Sequence, residues 1–427
     1  MNFSRKLKGQ YMLIENEISI YDFVSAISEA VDLASSALTN HHKKVACIAY
    51  NIALEMNLPN DEIQDIVLAA MLHDIGAFSL EELIKIKTVE YSDNELNKHA
   101  LFGYKLLKKF APLAKAAELV RYHHTVFGKS NLDIPIGSYI IHLADRASIL
   151  FDEQSEILAQ IPEVFENITI ISEIFHPDAF AAFSRLTKLE YVWLETFLPS
   201  FGAAMVKRMR FSMEIIDLER LRSFAKVIAQ IIDFRSKFTA THSSGVAAVA
   251  LELATLAGFS ERECKQMEIA GYLHDLGKLA LSNDILEKNS ALDYEEFNSI
   301  RKHTYYTHFV LNKIRSLEDI AMWAAYHHEK LDGNGYPFHV KGENFPKLAR
   351  IMAVADIITA LTEDRPYRLG LDRGNVEKIL LSMVENGGID KGVVALANEN
   401  FFRINEVRIK AQQEAQREYA AFHESAE

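Results

Sequence analysis

The chain is poor in the residues that interrupt helices and in those that staple small folds. Only 18 Gly and 9 Pro occur in 427 residues, which excludes a turn-rich architecture and favours helices. The two cysteines, Cys47 and Cys264, stand far apart in apolar helical contexts. They exclude a disulfide framework and read as buried thiols in a reducing compartment. No stretch approaches the roughly 20 apolar residues of a membrane helix, and Met1-Asn2-Phe3-Ser4-Arg5-Lys6 leads into no signal-type apolar core. A cytoplasmic protein is expected. Positive charge is also in deficit: 46 Lys and Arg against 59 Asp and Glu give a net charge of −13. That argues against binding polymeric nucleic acid or an anionic membrane, yet a few local cations still suffice for a small anionic ligand.

What remains is a globular composition, 49% hydrophobic with mean hydropathy near zero, on a chain long enough for two domains. From Ile18 to Leu58 apolar residues recur at helical spacing. Residues 147–215 lack polar landmarks, are broken singly at Pro162, Pro177 and Pro199, and are aromatic-rich. They read as a helical connector whose rings serve a core.

The two halves repeat. His41 precedes His73-Asp74 by thirty-two residues, as His242 precedes His274-Asp275. His99 to His123 is twenty-four residues, as is His303 to His327, and Leu143-Ala144-Asp145 corresponds to Val354-Ala355-Asp356. Ten of the 16 histidines fall at five such paired positions, so the repeat is a duplicated domain and not a solenoid. His42, His142, His176, His339 and His423 have no counterpart and read as ordinary packed or surface histidines; His308 is also unmatched and is given no reading.

In the second repeat His242, His274, Asp275, His303, His327, His328 and Asp356 offer five imidazoles and two carboxylates. Such mixed donors suit borderline metals: iron or manganese foremost, with zinc, nickel or magnesium as alternatives. Helix neighbours point about 100° apart, so two divalent ions bridged by Asp275 are expected. Paired ions suit phosphoryl chemistry. Lys278 stands four residues after His274, on the same face if that helix continues, and can hold a phosphate oxygen.

His242…His274-Asp275…Asp356 resembles the HD phosphohydrolase superfamily. The extension His328-Glu329-Lys330-Leu331-Asp332-Gly333-Asn334-Gly335-Tyr336-Pro337, with Asp364-Arg365-Pro366-Tyr367-Arg368 downstream, is similar to the HD-GYP subfamily of cyclic dinucleotide phosphodiesterases. The resemblance runs from about 225 to 380. It implies an all-α protein hydrolysing cyclic di-GMP to linear pGpG, or on to GMP. By matching position, His242, His274, Asp275 and Asp356 would hold one metal, and Asp275 would bridge to a second held by His303, His327 and His328. Asp275 and Lys278 would be catalytic, Lys278 meeting the scissile phosphate. Gly335, Tyr336 and Pro337 would shape the pocket lip, and Arg365 and Arg368 would meet substrate or brace that loop. Members with three metals carry a glutamate where this chain has Phe238, so a binuclear site is expected; the family's usual Asp is Thr359 here.

The first repeat keeps His41, His73, Asp74, His99, His123, His124 and Asp145 as a second candidate metal site. It has Ala77 in place of Lys278 and no Gly-Tyr-Pro loop after His124, so it resembles a degenerate HD domain. The expected organisation is two tandem HD-type helical domains, 1–150 degenerate and 216–427 catalytic, joined by a helical connector at 151–215. Close alternatives are 3′3′-cGAMP or a related dinucleotide as substrate, a non-catalytic cyclic dinucleotide receptor, or a mononucleotidase. A homodimer or a signalling-protein partner is left open.

Overall fold

The computed structural model describes residues 18–33, 40–77, 82, 93–198, 208, 216–235, 240–288, 290–364 and 369–424. Among these residues there are helices and no strands, so the protein is all-α with two helical domains. No described helix is long and apolar enough to cross a membrane.

The first half comprises α1 (Ile20–Asp32), α2 (His41–Glu55), α3 (Asn60–Leu72), α4 (Asp93–Leu107), α5 (Ala114–Arg121) and α6 (Ile136–Ser148). Apolar positions spaced by three and four close its core, as where Phe23, Val24, Ile27 and Val31 bury one face of α1. Next come α7 (Ile157–Ile170), α8 (Pro177–Leu186) and α9 (Glu190–Thr196). Helices α8 and α9 pack on α2, and Trp193 is among the largest fully buried side chains. Pro177 opens α8, where a missing N–H costs nothing. Pro162, expected to break the chain, instead lies inside α7. Burial of Ile161, Val164 and Ile168 along one face offsets the one hydrogen bond that the proline removes. Pro199 falls outside the described residues.

The second half comprises α10 (Leu218–Phe234), α11 (His242–Leu256), α12 (Glu261–Leu273), α13 (Tyr294–Leu311), α14 (Glu318–Ala325) and α15 (Lys347–Thr362). Three further helices follow: α16 (Arg373–Glu385), α17 (Lys391–Glu399) and α18 (Phe401–Glu424). Local chemistry sets the starts of the site helices. Ser260 and Glu263 form a reciprocal capping box on α12, and Asp293 and Glu296 form another on α13. Asp233 accepts from the Ser243 N–H at 3.1 Å and its hydroxyl at 2.8 Å, which fixes the first turn of α11 and with it His242.

The halves meet through equivalent residues. Phe23 and Phe224 each stand eighteen residues before the first site histidine of their half, and their rings touch at 4.7 Å. Glu29 and Gln230 each stand twelve residues before that histidine, and Lys109 and Lys313 ten residues after His99 and His303. Lys313 pairs with Glu29, and Lys109 donates to Gln230 at 2.8 Å. The interface is therefore approximately two-fold, with α1 and α10 at its centre.

Candidate metal centres in the two halves

In the second half, α12 ends at Leu273 and His274 is its C-cap. Here His274, His303 and His327 use one device. Each places Nδ1 against the carbonyl three residues earlier: Gly271 O at 2.8 Å, Ile300 O at 2.6 Å and Ala324 O at 2.6 Å. A carbonyl only accepts, so Nδ1 carries the hydrogen and Nε2 points inward with its lone pair. Burial pushes His303 down to about 3 and, with neighbouring His328, holds His327 well below its usual value. The Nε2 atoms of His303 and His327 nevertheless face each other at 3.2 Å. Two neutral lone pairs at that distance repel unless a cation lies between them, and orienting one ring nitrogen to free the other is how metal-binding histidines are held.

Asp275 sits among these rings, with Oδ2 at 3.2 Å from His274 Nε2 and Oδ1 at 3.4 and 3.9 Å from the Nε2 atoms of His303 and His327. Burial opposes its charge, but His274 and Lys278 hold its carboxyl well below the usual range. Donor atoms of His303, His327 and His328 form one cluster within 4.8 Å, and those of His242, His274 and Asp356 form another. The residues thus fit two divalent ions with Asp275 between them.

Lys278 does reach the site, but not on a continued α-helix. It lies in a 3-10 turn, Leu276–Ala280, and its Nζ is 2.5 Å from Asp275 Oδ2. Against burial, that carboxylate keeps the lysine above its usual value and so cationic. The turn is possible because Gly277 lets the His303 carbonyl approach: a Cβ there would stand 2.0 Å from that oxygen.

The Asp332-to-Pro337 loop is anchored by Glu329, whose carboxylate accepts from the backbone N–H groups of Phe338, His339 and Val340 at 2.6, 3.1 and 3.1 Å. A Cβ on Gly335 would lie 2.3 Å from Lys330 N, so only glycine closes the loop against the segment carrying the histidine pair. The loop lays Tyr336 on His328, ring centroids 5.0 Å apart. Arg301 on α13 sits 6.0 Å from the Tyr336 ring and 5.6 Å from that of Phe297. Phe297 is exposed, its ring centroid 6.3 Å from that of Tyr336. Sequence reading gave Phe297 no role, and nothing in its spacing marks it.

Glu363 is a second residue that the sequence reading passed over. Its Oε2 lies 3.1 Å from His242 Nδ1, while His242 Nε2 faces Asp356 Oδ1 at 3.2 Å. Against burial, Glu363 and Asp356 hold His242 well above its usual value. Glu363 stands seven residues after Asp356, two helical turns along the same face, which is the signal that could have found it. Thr359 is buried; its hydroxyl donates to Ala355 O at 2.8 Å and its carbonyl accepts from the Glu363 N–H at 3.0 Å. Arg365, Arg368 and Phe238 lie outside the described residues.

The first half builds a parallel cluster. His41 Nε2 is 3.2 Å from Asp145 Oδ1, His73 Nε2 is 3.1 Å from Asp74 Oδ2, and His99 Nε2 is 3.3 Å from Asp74 Oδ1. The Nε2 atoms of His123 and His124 lie 3.4 and 3.1 Å from that of His99. His73 and His123 donate Nδ1–H to Ala70 O and Val120 O at 2.8 and 2.7 Å. Asp74, His99, His123 and His124 form one donor group, and His41, His73 and Asp145 another. His42, read from sequence as an ordinary packed histidine, instead joins His73 and Asp74 in a further group.

A family profile described as HD domain matches residues 226–393, and another of that description matches residues 38–150. The chain belongs to the HD family. Each half carries one HD domain, and the protein is a hydrolase of that family. The chain is 28% identical over 395 residues to the 3′3′-cGAMP-specific phosphodiesterase 1 of Vibrio cholerae, covering 89% of this chain and 91% of that protein. It is 24% identical over 429 residues to the 3′3′-cGAMP-specific phosphodiesterase 3 of the same organism, covering 87% and 92%. With the cyclic di-GMP phosphodiesterase response regulator RpfG of Xanthomonas campestris it shares 35% identity over 167 residues, covering 39% of this chain and 44% of that one. The crystal structure of the V. cholerae cyclic GMP-AMP-specific phosphodiesterase V-cGAP3 shares the fold. Its TM-score is 0.62 at 20% identity, covering 90% of this chain and 98% of that one.

Proposed function

We propose that the C-terminal HD domain is a metal-dependent phosphodiesterase for cyclic dinucleotides, with 3′3′-cGAMP as its preferred substrate. The observation that carries the choice is coverage. The 3′3′-cGAMP-specific phosphodiesterases 1 and 3 align with both halves of the chain, whereas the cyclic di-GMP regulator, like the 3′3′-cGAMP-specific phosphodiesterase 2, aligns with about two-fifths of it or less. Cyclic di-GMP, the substrate first expected, is the second reading, favoured by the resemblance of the Gly335-Tyr336-Pro337 loop to the HD-GYP motif.

In this reading His242, His274, Asp275 and Asp356 would hold one divalent ion, and Asp275, His303, His327 and His328 would hold the other. Ions held there supply an activated water and neutralise phosphate charge. Asp275 orients both halves of the ligand set, and Glu363 fixes the His242 ring through Nδ1. Lys278, cationic and tethered to Asp275, turns to donate to a non-bridging phosphate oxygen, where charge grows as water adds to phosphorus. The water oxygen bonds to phosphorus, one P–O bond to a sugar oxygen breaks, that oxygen takes the proton the water gives up, and a linear dinucleotide with a terminal phosphate results. Tyr336, Phe297 and the Arg301 guanidinium form a shelf on which a purine stacks.

The test is product analysis on a panel of 3′3′-cGAMP, cyclic di-GMP, cyclic di-AMP and mononucleotides, using anaerobically reconstituted protein of measured manganese or iron content. Hydrolysis of 3′3′-cGAMP well above the others is expected, and Asp275→Ala should abolish it. Faster cyclic di-GMP turnover selects the second reading, and no turnover of any cyclic dinucleotide rejects both.

A further inference from the structure

We propose that the N-terminal half carries a metal centre of its own, in which His42, His73 and Asp74 hold one divalent ion at a position that the C-terminal half does not possess. The inference stands apart from the phosphodiesterase reading and requires no activity in the second half.

His42 is built as a ligand. Its Nδ1 lies 2.5 Å from Asp32 Oδ1, so a carboxylate at the end of α1 fixes both the ring's orientation and its tautomer. A histidine held by a carboxylate through one nitrogen presents the other as a strong donor. That other nitrogen, Nε2, points inward to within 4.0 Å of Asp74 Oδ2, and the His42 and His73 rings lie 5.1 Å apart. Asp74 Oδ2 lies 3.1 Å from His73 Nε2, and that ring nitrogen is buried without a directed hydrogen bond. Buried polar atoms of that kind call for a partner, and a cation satisfies all three residues at once.

Comparison of the halves shows that this is a substitution at one position of a shared frame. Asp32 and Asp233 each stand nine residues before the first site histidine. In the second half that carboxylate caps α11 through Ser243. In the first half the residue at the Ser243 position is His42, and the same carboxylate orients an imidazole. The donor set thus grows to six imidazoles, on His41, His42, His73, His99, His123 and His124, with Asp74 and Asp145. So nitrogen-rich a set favours iron, zinc or nickel over magnesium.

The surroundings suit a resident ion more than a phosphate substrate. Each of these eight side chains belongs to a residue less than a tenth exposed. Ala77 replaces the phosphate-binding lysine. Beyond His124, the Phe127 N–H donates to Ile174 O at 3.0 Å, and the Phe127 ring meets Tyr139 and His176. The turn leading into α8 therefore lies against the segment where the other half has its Gly-Tyr-Pro loop.

Anomalous diffraction from crystals of the full-length protein, at the iron, manganese and zinc edges, locates the ions. A peak within roughly 2.0–2.3 Å of His42 Nε2, shared with His73 and Asp74, is expected. Full-length His42→Ser, carrying the residue of the matching position, should lose about one ion per chain by elemental analysis with its helical circular dichroism retained. An N-terminal half without a peak, or with peaks none of which is bonded to His42, overturns the assignment. So does His42→Ser with an undiminished metal content. If that variant does not fold, the wild-type map decides alone.

Discussion

Replacing Glu363 by glutamine removes one negative charge from the C-terminal centre and changes little else. The carboxylate oxygen that meets His242 Nδ1 at 3.1 Å also accepts from Gln412 Nε2 at 3.1 Å. A glutamine oxygen can accept both bonds, so the side chains keep their places. What is lost is the charge assistance. A hydrogen bond to a charged partner contributes roughly 1.5–3 kcal/mol and a neutral one about 0.5–1.5 kcal/mol. The difference, about 1–1.5 kcal/mol, corresponds to about a tenfold weaker grip on an ion through His242, the lower end of the 10–100-fold range for such outer partners. The assay is the initial rate of 3′3′-cGAMP hydrolysis against buffered free manganese, which reports on the C-terminal centre alone. The half-saturating concentration should rise about tenfold, with the rate at saturation largely restored. A half-saturation point equal to that of the unsubstituted protein would refute the role given to Glu363.

Lys278→Met should lower kcat by about 10²–10³-fold while the full metal content remains; an unchanged kcat would remove the lysine from the reaction. Arg301→Ala should raise KM with kcat nearly constant, by the roughly 0.5–2 kcal/mol of a cation–π contact, and a change confined to kcat would contradict a stacking role. Phe224, fully buried at the junction of the halves, packs against Phe23 at 4.7 Å and Phe110 at 4.5 Å. Phe224→Ala should cost about 3–5 kcal/mol in urea unfolding, and a loss under 1 kcal/mol would mean that the interface repacks freely.

The helical fold and the duplicated ligand pattern were legible because both are written in spacing. Thirty-two and twenty-four residues separate the site histidines in either half, and apolar residues recur every three or four positions. What spacing cannot show is direction. Spacing puts Lys278 on the His274 face only if the helix continues; the helix stops at Leu273, and the lysine reaches Asp275 through the tighter turn that Gly277 permits. His42 was set aside for lacking a counterpart, although the lack of one is what makes the first half different. Glu329 and Arg301 act on residues far from them in the chain or across a loop, and their roles depend on tertiary placement alone, whereas Glu363 shares a helical face with Asp356. Pro162 shows the converse, a strong local signal overruled by the burial of the helix around it.

The approximate two-fold junction has a consequence for how the halves were free to diverge. Contacts such as Glu29–Lys313 and Gln230–Lys109 are one contact made twice, as in a symmetric dimer, but here the two copies belong to a single polypeptide. Identical subunits must change together, because any substitution appears on both sides of the axis. Tandem copies carry no such obligation. One can carry a lysine and a glycine-rich loop where its twin has neither, and a serine where its twin has a histidine. The seam between them still demands the self-complementary surface, so a half expressed alone presents a face already shaped for its own kind, and its sedimentation should be that of a pair.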